Sequence, residues 1–260
     1  MVSVSENRAI WDGDYSWAGA GDEWSAAWGS VPMQWHGTLM PRIHRFLPAG
    51  TILEIACGHG RWTRFLKQHC ERLIGVDLSN QCIEACRRRF DGDRGLSFFQ
   101  NDGKSLDAVA DESVDFIFSF DSLVHADIAV LSNYLRQFKR ILKRDGTAFI
   151  HHSNNGECSR LHPRRIRKLR GLLRVLHILE FHHLRDLSVS AAKVAKTAHE
   201  HGLACVGQEI NTWLTSRTFI DCFSMIVRGD SVRARENVVI RNADFCREVR
   251  GWSKLSELYS

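Results

Sequence analysis

Asp121 and His125, four residues apart, and the run His151-His152-Ser153-Asn154 are the side chains of this 260-residue sequence best suited to moving a proton. Imidazole takes up a proton near neutrality, and a neighbouring carboxylate orients the ring or the bound molecule. A sugar or alcohol hydroxyl holds its proton far above neutral pH, so a group that activates it must accept that proton as the new bond forms. His125 is the expected base, Asp121 the expected orienting group, and His152 the alternative base. A second set of residues is suited to holding a ligand. The stretch ILEIACGHGRWTRFL, Ile52 to Leu66, runs from branched apolar residues through Glu54 to Gly58 and Gly60, then turns helical. A tight strand-to-helix turn aims backbone N–H groups above a sheet, and glycines let the ligand approach without a Cβ in the way.

These residues need a parallel sheet to bring them together, and the surrounding sequence predicts one. Short apolar runs alternate with helical patterns from about residue 50 to 155, the signature of consecutive βαβ units in an α/β fold. The expected strands are TILEIA (51–56), RLIGVD (72–77), LSFFQN (96–101), SVDFIFSF (113–120) and GTAFIHH (146–152). Helices are expected at about 61–70, 80–90 and 127–144, with Ser79 as an N-cap and Gly146 as a stop signal. ACVGQEINTW and DCFSMIVRG follow each other too closely for a crossover helix and are expected to pair antiparallel at one sheet edge. With this framework, Asp77 falls at the end of the second strand, close to twenty residues beyond the turn, where a carboxylate can accept ribose hydroxyls. Asp102 and Gly103 end the third strand and suit an adenine edge.

The turn lacks the third glycine of the dinucleotide fingerprint, since Thr63 stands there, and no Gly-Lys-Ser/Thr follows to make a P-loop. Glu54-Ile55-Ala56-Cys57-Gly58-His59-Gly60 instead resembles the nucleoside-binding loop of class I S-adenosylmethionine-dependent methyltransferases, with Ala56 where that family often has glycine. The resemblance implies a Rossmann-like α/β fold with a seven-stranded, mostly parallel sheet, an antiparallel last strand and helices on both faces. It also implies a site for S-adenosyl-L-methionine made by Glu54, Ala56, Gly58, Gly60, Asp77, Leu78, Asp102, Gly103 and Phe120, with Glu54 toward the amino acid end. The activated methyl sits on a sulfonium, so such a protein mainly has to position an acceptor in line with it. The place after the fourth strand reads Ser119-Phe120-Asp121-Ser122, without the Asn/Asp-Pro-Pro-aromatic motif of nucleobase amino-methylating enzymes, and no cysteine stands near the fourth or fifth strand end. A metal-assisted variant supplies two carboxylates and an amide, whereas only Asp121 with Asn154 or Asn155 is on offer, so a divalent metal is not favoured. FSFDSLVHAD, HHSN and WDGDYSWAGAGDEWSAAWG resemble a bacterial subgroup of sugar and natural-product O-methyltransferases.

Composition bounds the remaining readings. A hydrophobic content of 44% in 260 residues supports one large domain, divided here into an N-terminal lid (1–48), a cofactor core (49–155), a basic helical cap (156–186) and the rest of the core (187–260). The cap carries seven Lys/Arg and no acid between Cys158 and Leu179, with leucines at helical spacing, which suits an anionic acceptor as well as a solvated face. One basic helix without interleaved aromatics does not favour nucleic acid. Five of the eight tryptophans lie in residues 1–50, where MQWHGTLMPRIHRFL is amphipathic and able to lie across the active end or to pack. The first twenty residues hold no long apolar run, so no signal peptide or membrane span is expected and the default location is cytoplasmic. The eight scattered cysteines form no CxxC pair and are expected to be reduced. The leading expectation is methyl transfer to a hydroxyl of a sugar, glycan or related metabolite. RNA methylation, N-methylation of a small molecule and a non-catalytic binding module stay open, as does the oligomeric state.

Overall fold

A computed structural model describes residues 3–161, 185–213 and 218–260. Eight strands form one sheet in the order β3-β2-β1-β4-β5-β7-β6-β8. They are β1 Ala49–Ile55, β2 Cys70–Asp77, β3 Leu96–Gln100, β4 Val114–Ser119, β5 Leu142–Ser153, β6 Leu203–Asn211, β7 Asp221–Arg228 and β8 Val238–Asn242. β7 runs against both of its neighbours, β5 and β6, and the other described strands run parallel to one another. The expected antiparallel pair is therefore β6 and β7, but it does not end the sheet, because β8 adds an eighth strand beyond β6.

Near-continuous apolar strands such as Leu53, Ile55 and Ile117 have to be covered on both faces. Leu53, Ile117 and Ile150 point into one core under the helices Ile128–Ile141 and Ala191–Glu200. Ile52, Phe116, Phe118 and Phe149 point into the other, closed by Trp28, Trp35, Leu39, Ile43 and Phe245. The amphipathic piece 33–47 therefore packs on the sheet face, with Trp35, Leu39 and Ile43 at helical spacing and at most 1% exposed.

Two boundaries differ from the sequence expectation. The helix Ile128–Ile141, capped by Asp127 through Val130 N at 2.8 Å, ends earlier than expected, and Gly146 lies inside β5. A Cβ at Gly146 would meet the Val114 carbonyl oxygen at 2.8 Å, so this glycine serves a close strand approach where the register shifts. The first crossover helix shortens to Thr63–Leu66, continued by a 3₁₀ turn Lys67–His69. Most of the basic cap, residues 162–184, lies outside the described residues. Among the described residues, no helix is long and apolar enough to cross a membrane.

Candidate functional site

The chain leaves β1 outward toward β3 and then returns to β4 on the other side of β1, so the loops after β1 and β4 part and open a crevice at their carboxyl ends. A cleft of about 1080 Å³, counting its open mouth, occupies that place. Its walls come from Ala56, Cys57 and Gly58 after β1, Asp77 and Leu78 after β2, Asn101 and Gly103 after β3, and Phe120 to Leu123 after β4.

The glycine turn is wound tightly over the end of β2. Ala56 and Gly58 both take left-handed backbone angles, φ 59° and 55°, and Ala56 N and Cys57 N donate to the Val76 carbonyl at 2.7 and 3.3 Å. Gly60, at φ 81°, turns away from the cleft toward the Phe90 ring, which would meet a Cβ at 2.5 Å. Asp77 joins this turn to the next helix. Its Oδ2 accepts from Gly58 N and its Oδ1 from Ser79 N, each at 2.9 Å. Burial pushes the Asp77 carboxyl up to about 6, against the lowering effect of those amides, so it is ionised at neutral pH. Each oxygen retains acceptor capacity toward the cleft.

Glu54 lies under the turn, 2% exposed and off the cleft wall, where Thr63 Oγ1 donates to it at 2.5 Å. Burial raises its carboxyl to about 8, offset in part by the Thr63 hydroxyl. Asp102 is exposed and accepts from Lys104 N and Ser105 N of its own turn, at 3.0 and 2.7 Å. The side chain on the wall at this point is Asn101, whose Oδ1 accepts from Gly103 N at 3.0 Å and whose amide donates to Tyr134 Oη at 3.1 Å. A strand end followed by Asn-Asp-Gly gives no sequence signal for choosing between the two polar residues.

Beyond β4, Asp121 adopts a left-handed angle, φ 62°, and its carboxylate accepts from Arg61 Nη2 at 3.2 Å. His125 follows in the 3₁₀ turn Leu123–His125, on the cleft wall, with its ring 5.9 Å from that of Trp11. His152 stands elsewhere. It is fully buried within β5 between Ser224 Oγ, at 2.7 Å, and the Ser153 carbonyl, at 2.9 Å, and burial lowers its ring to about 4. Alternation along the strand puts His151 on the opposite face, against Phe120 and Trp213 at 4.9 and 4.6 Å. Asp121 N donates to His151 Nδ1 at 3.2 Å, which leaves the ring proton on Nε2, 3.1 Å from Asp221 Oδ2. Burial works to raise the Asp221 carboxyl, but Arg185 and His151 outweigh it and hold the group well below the usual carboxylate range.

The sequence pointed to the strand ends and to an N-terminal lid (1–48), but singled out no residue of that segment as a site residue. Val4, Asn7, Trp11, Trp17 and Trp24 also line the cleft. Trp17 stacks on His59 with ring centres 4.2 Å apart and comes within 3.2 Å of the place a Cβ on Gly58 would take. The concentration of tryptophans was the available signal, but aromatic residues carry no mark of which side of the sheet they cover.

A braced carboxylate at the second strand end, a glycine without a Cβ beside it, an amide at the third and an aromatic ring at the fourth fit the ribose, phosphate-free nucleoside linkage and adenine of S-adenosylmethionine. Residues 52–146 match the model of a family described as a methyltransferase domain. Over this stretch the chain is similar to a methyltransferase domain. The chain is 32% identical over 127 residues to the S-adenosyl-L-methionine-dependent Diels-Alderase iccD of Talaromyces variabilis, covering 45% of this chain and 42% of that protein. It is 29% identical over 92 residues to the methyltransferase nsrG of Aspergillus novofumigatus, covering 34% of this chain and 35% of that one. The chain thus spans less than half the length of these curated relatives. The fold is similar, with a TM-score of 0.57 at 13% identity, to magnesium protoporphyrin IX methyltransferase from Synechocystis PCC 6803 with bound SAH, covering 87% of this chain and 100% of that one. Among the described residues, no group of three or more His, Cys, Asp or Glu is arranged to hold a metal ion.

Proposed function

We propose that the whole protein is a methyltransferase that delivers the methyl group of S-adenosylmethionine to a hydroxyl oxygen of a sugar, glycan or natural-product metabolite. The observation that supports this reading is His125, an imidazole on the cleft wall just after the strand that flanks the glycine turn, packed against Trp11 on the same wall. The cofactor side is proposed to be held by the Ala56–Gly58 turn, Asp77, Leu78, Gly103 and Phe120, with Asn101 added. In the transfer, the acceptor oxygen bonds to the methyl carbon, the carbon–sulfur bond breaks with its electron pair left on sulfur, and the hydroxyl proton passes to His125. Asp121 is engaged by Arg61, so its orienting effect reaches the ligand through that pair. His152 is proposed as a packing residue, because its two ring nitrogens are spent inside the sheet.

The test uses methyl-labelled S-adenosylmethionine with a panel of hydroxyl-bearing sugars and metabolites. Label is expected in an ether product, and His125→Ala is expected to lower kcat by about 10² to 10⁴-fold while S-adenosylhomocysteine affinity stays as in wild type. A reaction that consumes acceptor while all label stays on the cofactor contradicts methyl transfer. Wild-type kcat in His125→Ala removes the base assignment.

A further inference from the structure

The part of the cleft wall contributed by residues 4–24 is aromatic, and its polar groups are largely spent on one another. Trp11, Trp17 and Trp24 line it, with the Trp11 ring centre 6.0 Å from that of Trp17 and 5.4 Å from that of Trp24. Trp17 Nε1 donates to the Trp11 carbonyl at 3.2 Å, and Trp24 Nε1 donates to Tyr15 Oη. After β4, Ser122 Oγ donates to the Phe120 carbonyl at 3.3 Å, and Asp127 Oδ1 accepts from Val130 N at 2.8 Å. A sugar ring brings several hydroxyl groups, and each one buried without a partner weakens binding. An aromatic ring with one or two oxygens makes a smaller demand, and it gains from offset or edge contacts with indole.

The chemistry beside this wall points the same way. His125 has its ring 5.9 Å from that of Trp11, while Asp121, the carboxylate four residues earlier, is turned to Arg61. An imidazole base works best on a proton that is not held too tightly: a phenol titrates at about 10, as tyrosine does, and an aliphatic alcohol far above that. Trp62 adds a donor. It lines the cleft and is 4% exposed, and its indole N–H is buried with no hydrogen-bond partner among the described residues. Buried donors are rarely left unpaired, so this N–H suits an oxygen of a bound molecule. We propose that the methyl acceptor is a phenol, an aromatic ring seated against Trp11 and Trp24, with its hydroxyl toward His125 and a second oxygen accepting from Trp62 Nε1. The phenolic oxygen bonds to the methyl carbon, sulfur keeps the electron pair of the broken bond, and the phenolic proton passes to His125. The assignment rests on the hydroxyl-transfer reading of the cleft and narrows it.

Binding and transfer are measured separately, with 2,3-dihydroxynaphthalene, 2-naphthol and methyl α-glucopyranoside as probes. In calorimetry on the S-adenosylhomocysteine complex, wild type is expected to bind the diol about tenfold or more tightly than the glucoside. Trp11→Ala and Trp24→Ala are each expected to weaken the diol about 5 to 20-fold. Trp62→Phe keeps a ring and removes the N–H, so it should weaken the diol about 3 to 10-fold and leave 2-naphthol, which lacks the second oxygen, within about twofold. S-adenosylhomocysteine affinity within about twofold of wild type shows that each variant folds with its cofactor side intact. A variant that loses S-adenosylhomocysteine as much as the diol gives that tryptophan to the cofactor and overturns its place here, and Trp11→Phe, expected to recover the diol to within about threefold, guards against a merely damaged segment. A glucoside bound as tightly as the diol, or a diol bound equally by wild type and all three variants, refutes the aromatic seat. With methyl-labelled S-adenosylmethionine, label is expected in the methyl ether of the diol, at a kcat/KM about tenfold or more above that for the glucoside. Equal or faster labelling of the glucoside upholds hydroxyl transfer and refutes the phenol. A diol that binds as described and takes no label refutes hydroxyl transfer itself, a different failure.

Discussion

Ala56 shows how the sequence manages a turn that geometry would assign to glycine. Its φ of 59° costs an L-residue about 1–2 kcal/mol relative to the right-handed region. Its methyl group packs against the core beneath, worth about 0.8 kcal/mol at most, and glycine would add about 0.5–1 kcal/mol of unfolded-chain entropy. Strain relief and these losses nearly cancel, so Ala56→Gly is predicted to change stability by less than about 0.5 kcal/mol. Ala148→Gly, at a fully buried position of β5, has no strain to relieve and is predicted to cost more than about 1 kcal/mol by the same terms. Urea denaturation of both variants checks the contrast, and equal losses would deny that Ala56 is strained. Glu54 gives a pH signature at the same scale. Its carboxyl rises from 4.5 in the unfolded chain to about 8 in the folded protein, so between those values the folded state binds more protons. Stability contributed by this group is therefore fully present below pH 4.5 and is lost as pH rises through 8, with a slope approaching about 1.4 kcal/mol per pH unit. Glu54→Gln cannot ionise, so its Tm should overtake that of wild type between pH 6 and 9. Parallel melting curves for the two proteins over that range would contradict the buried, proton-holding Glu54.

At the scale of elements, the strands were the most legible part because their buried faces leave no freedom of composition. TILEIA, RLIGVD, LSFFQN and SVDFIFSF coincide with β1 to β4 to within two residues, and Asp77 falls at the end of β2 as its place in the run requires. β8 was invisible for the opposite reason: Val238, Val239 and Ile240 are 58, 50 and 54% exposed, so no buried face shaped a pattern. His151 and His152 could be placed at a strand end but not on a face, since a one-residue shift in register exchanges their surroundings. Within the expected N-terminal lid no individual residue of 4–24 could be assigned, because its tryptophans pack on one another and on loop residues and follow no period. It is tied to the rest of the fold by the half-buried pair Arg64–Asp22 at 3.0 Å, the Trp17–His59 stack and the Trp11–His125 contact. Partly solvated ion pairs contribute little, so the segment should open more readily than the sheet. Hydrogen exchange across residues 4–24 is predicted to slow when S-adenosylhomocysteine is added, with β8 amides unaffected. Equal exchange with and without ligand would detach this segment from the site.

For the whole molecule, the proposed function follows from one topological fact: the strand order reverses between β1 and β4, and the proposed cofactor site hangs from the carboxyl ends of β1 to β4 around that reversal. The described end of β5 adds no residue to the cleft wall, so its histidines act through packing and through the backbone of Asp121. Asp77 is the point where this architecture becomes binding, since it alone joins the glycine turn, the second strand and the following helix while facing the cleft. Calorimetric titration of S-adenosylmethionine at pH 8, where Asp77 is ionised, is therefore the decisive measurement, made on wild type and on Asp77→Asn variants that melt as cooperatively as wild type. Saturable binding by wild type, weakened by about 1.5–3 kcal/mol in the variant, is the predicted result, the scale of hydrogen bonds to a charged group. Absence of binding by wild type, or equal affinity in the two proteins, would contradict the assignment of this cleft to the methyl donor.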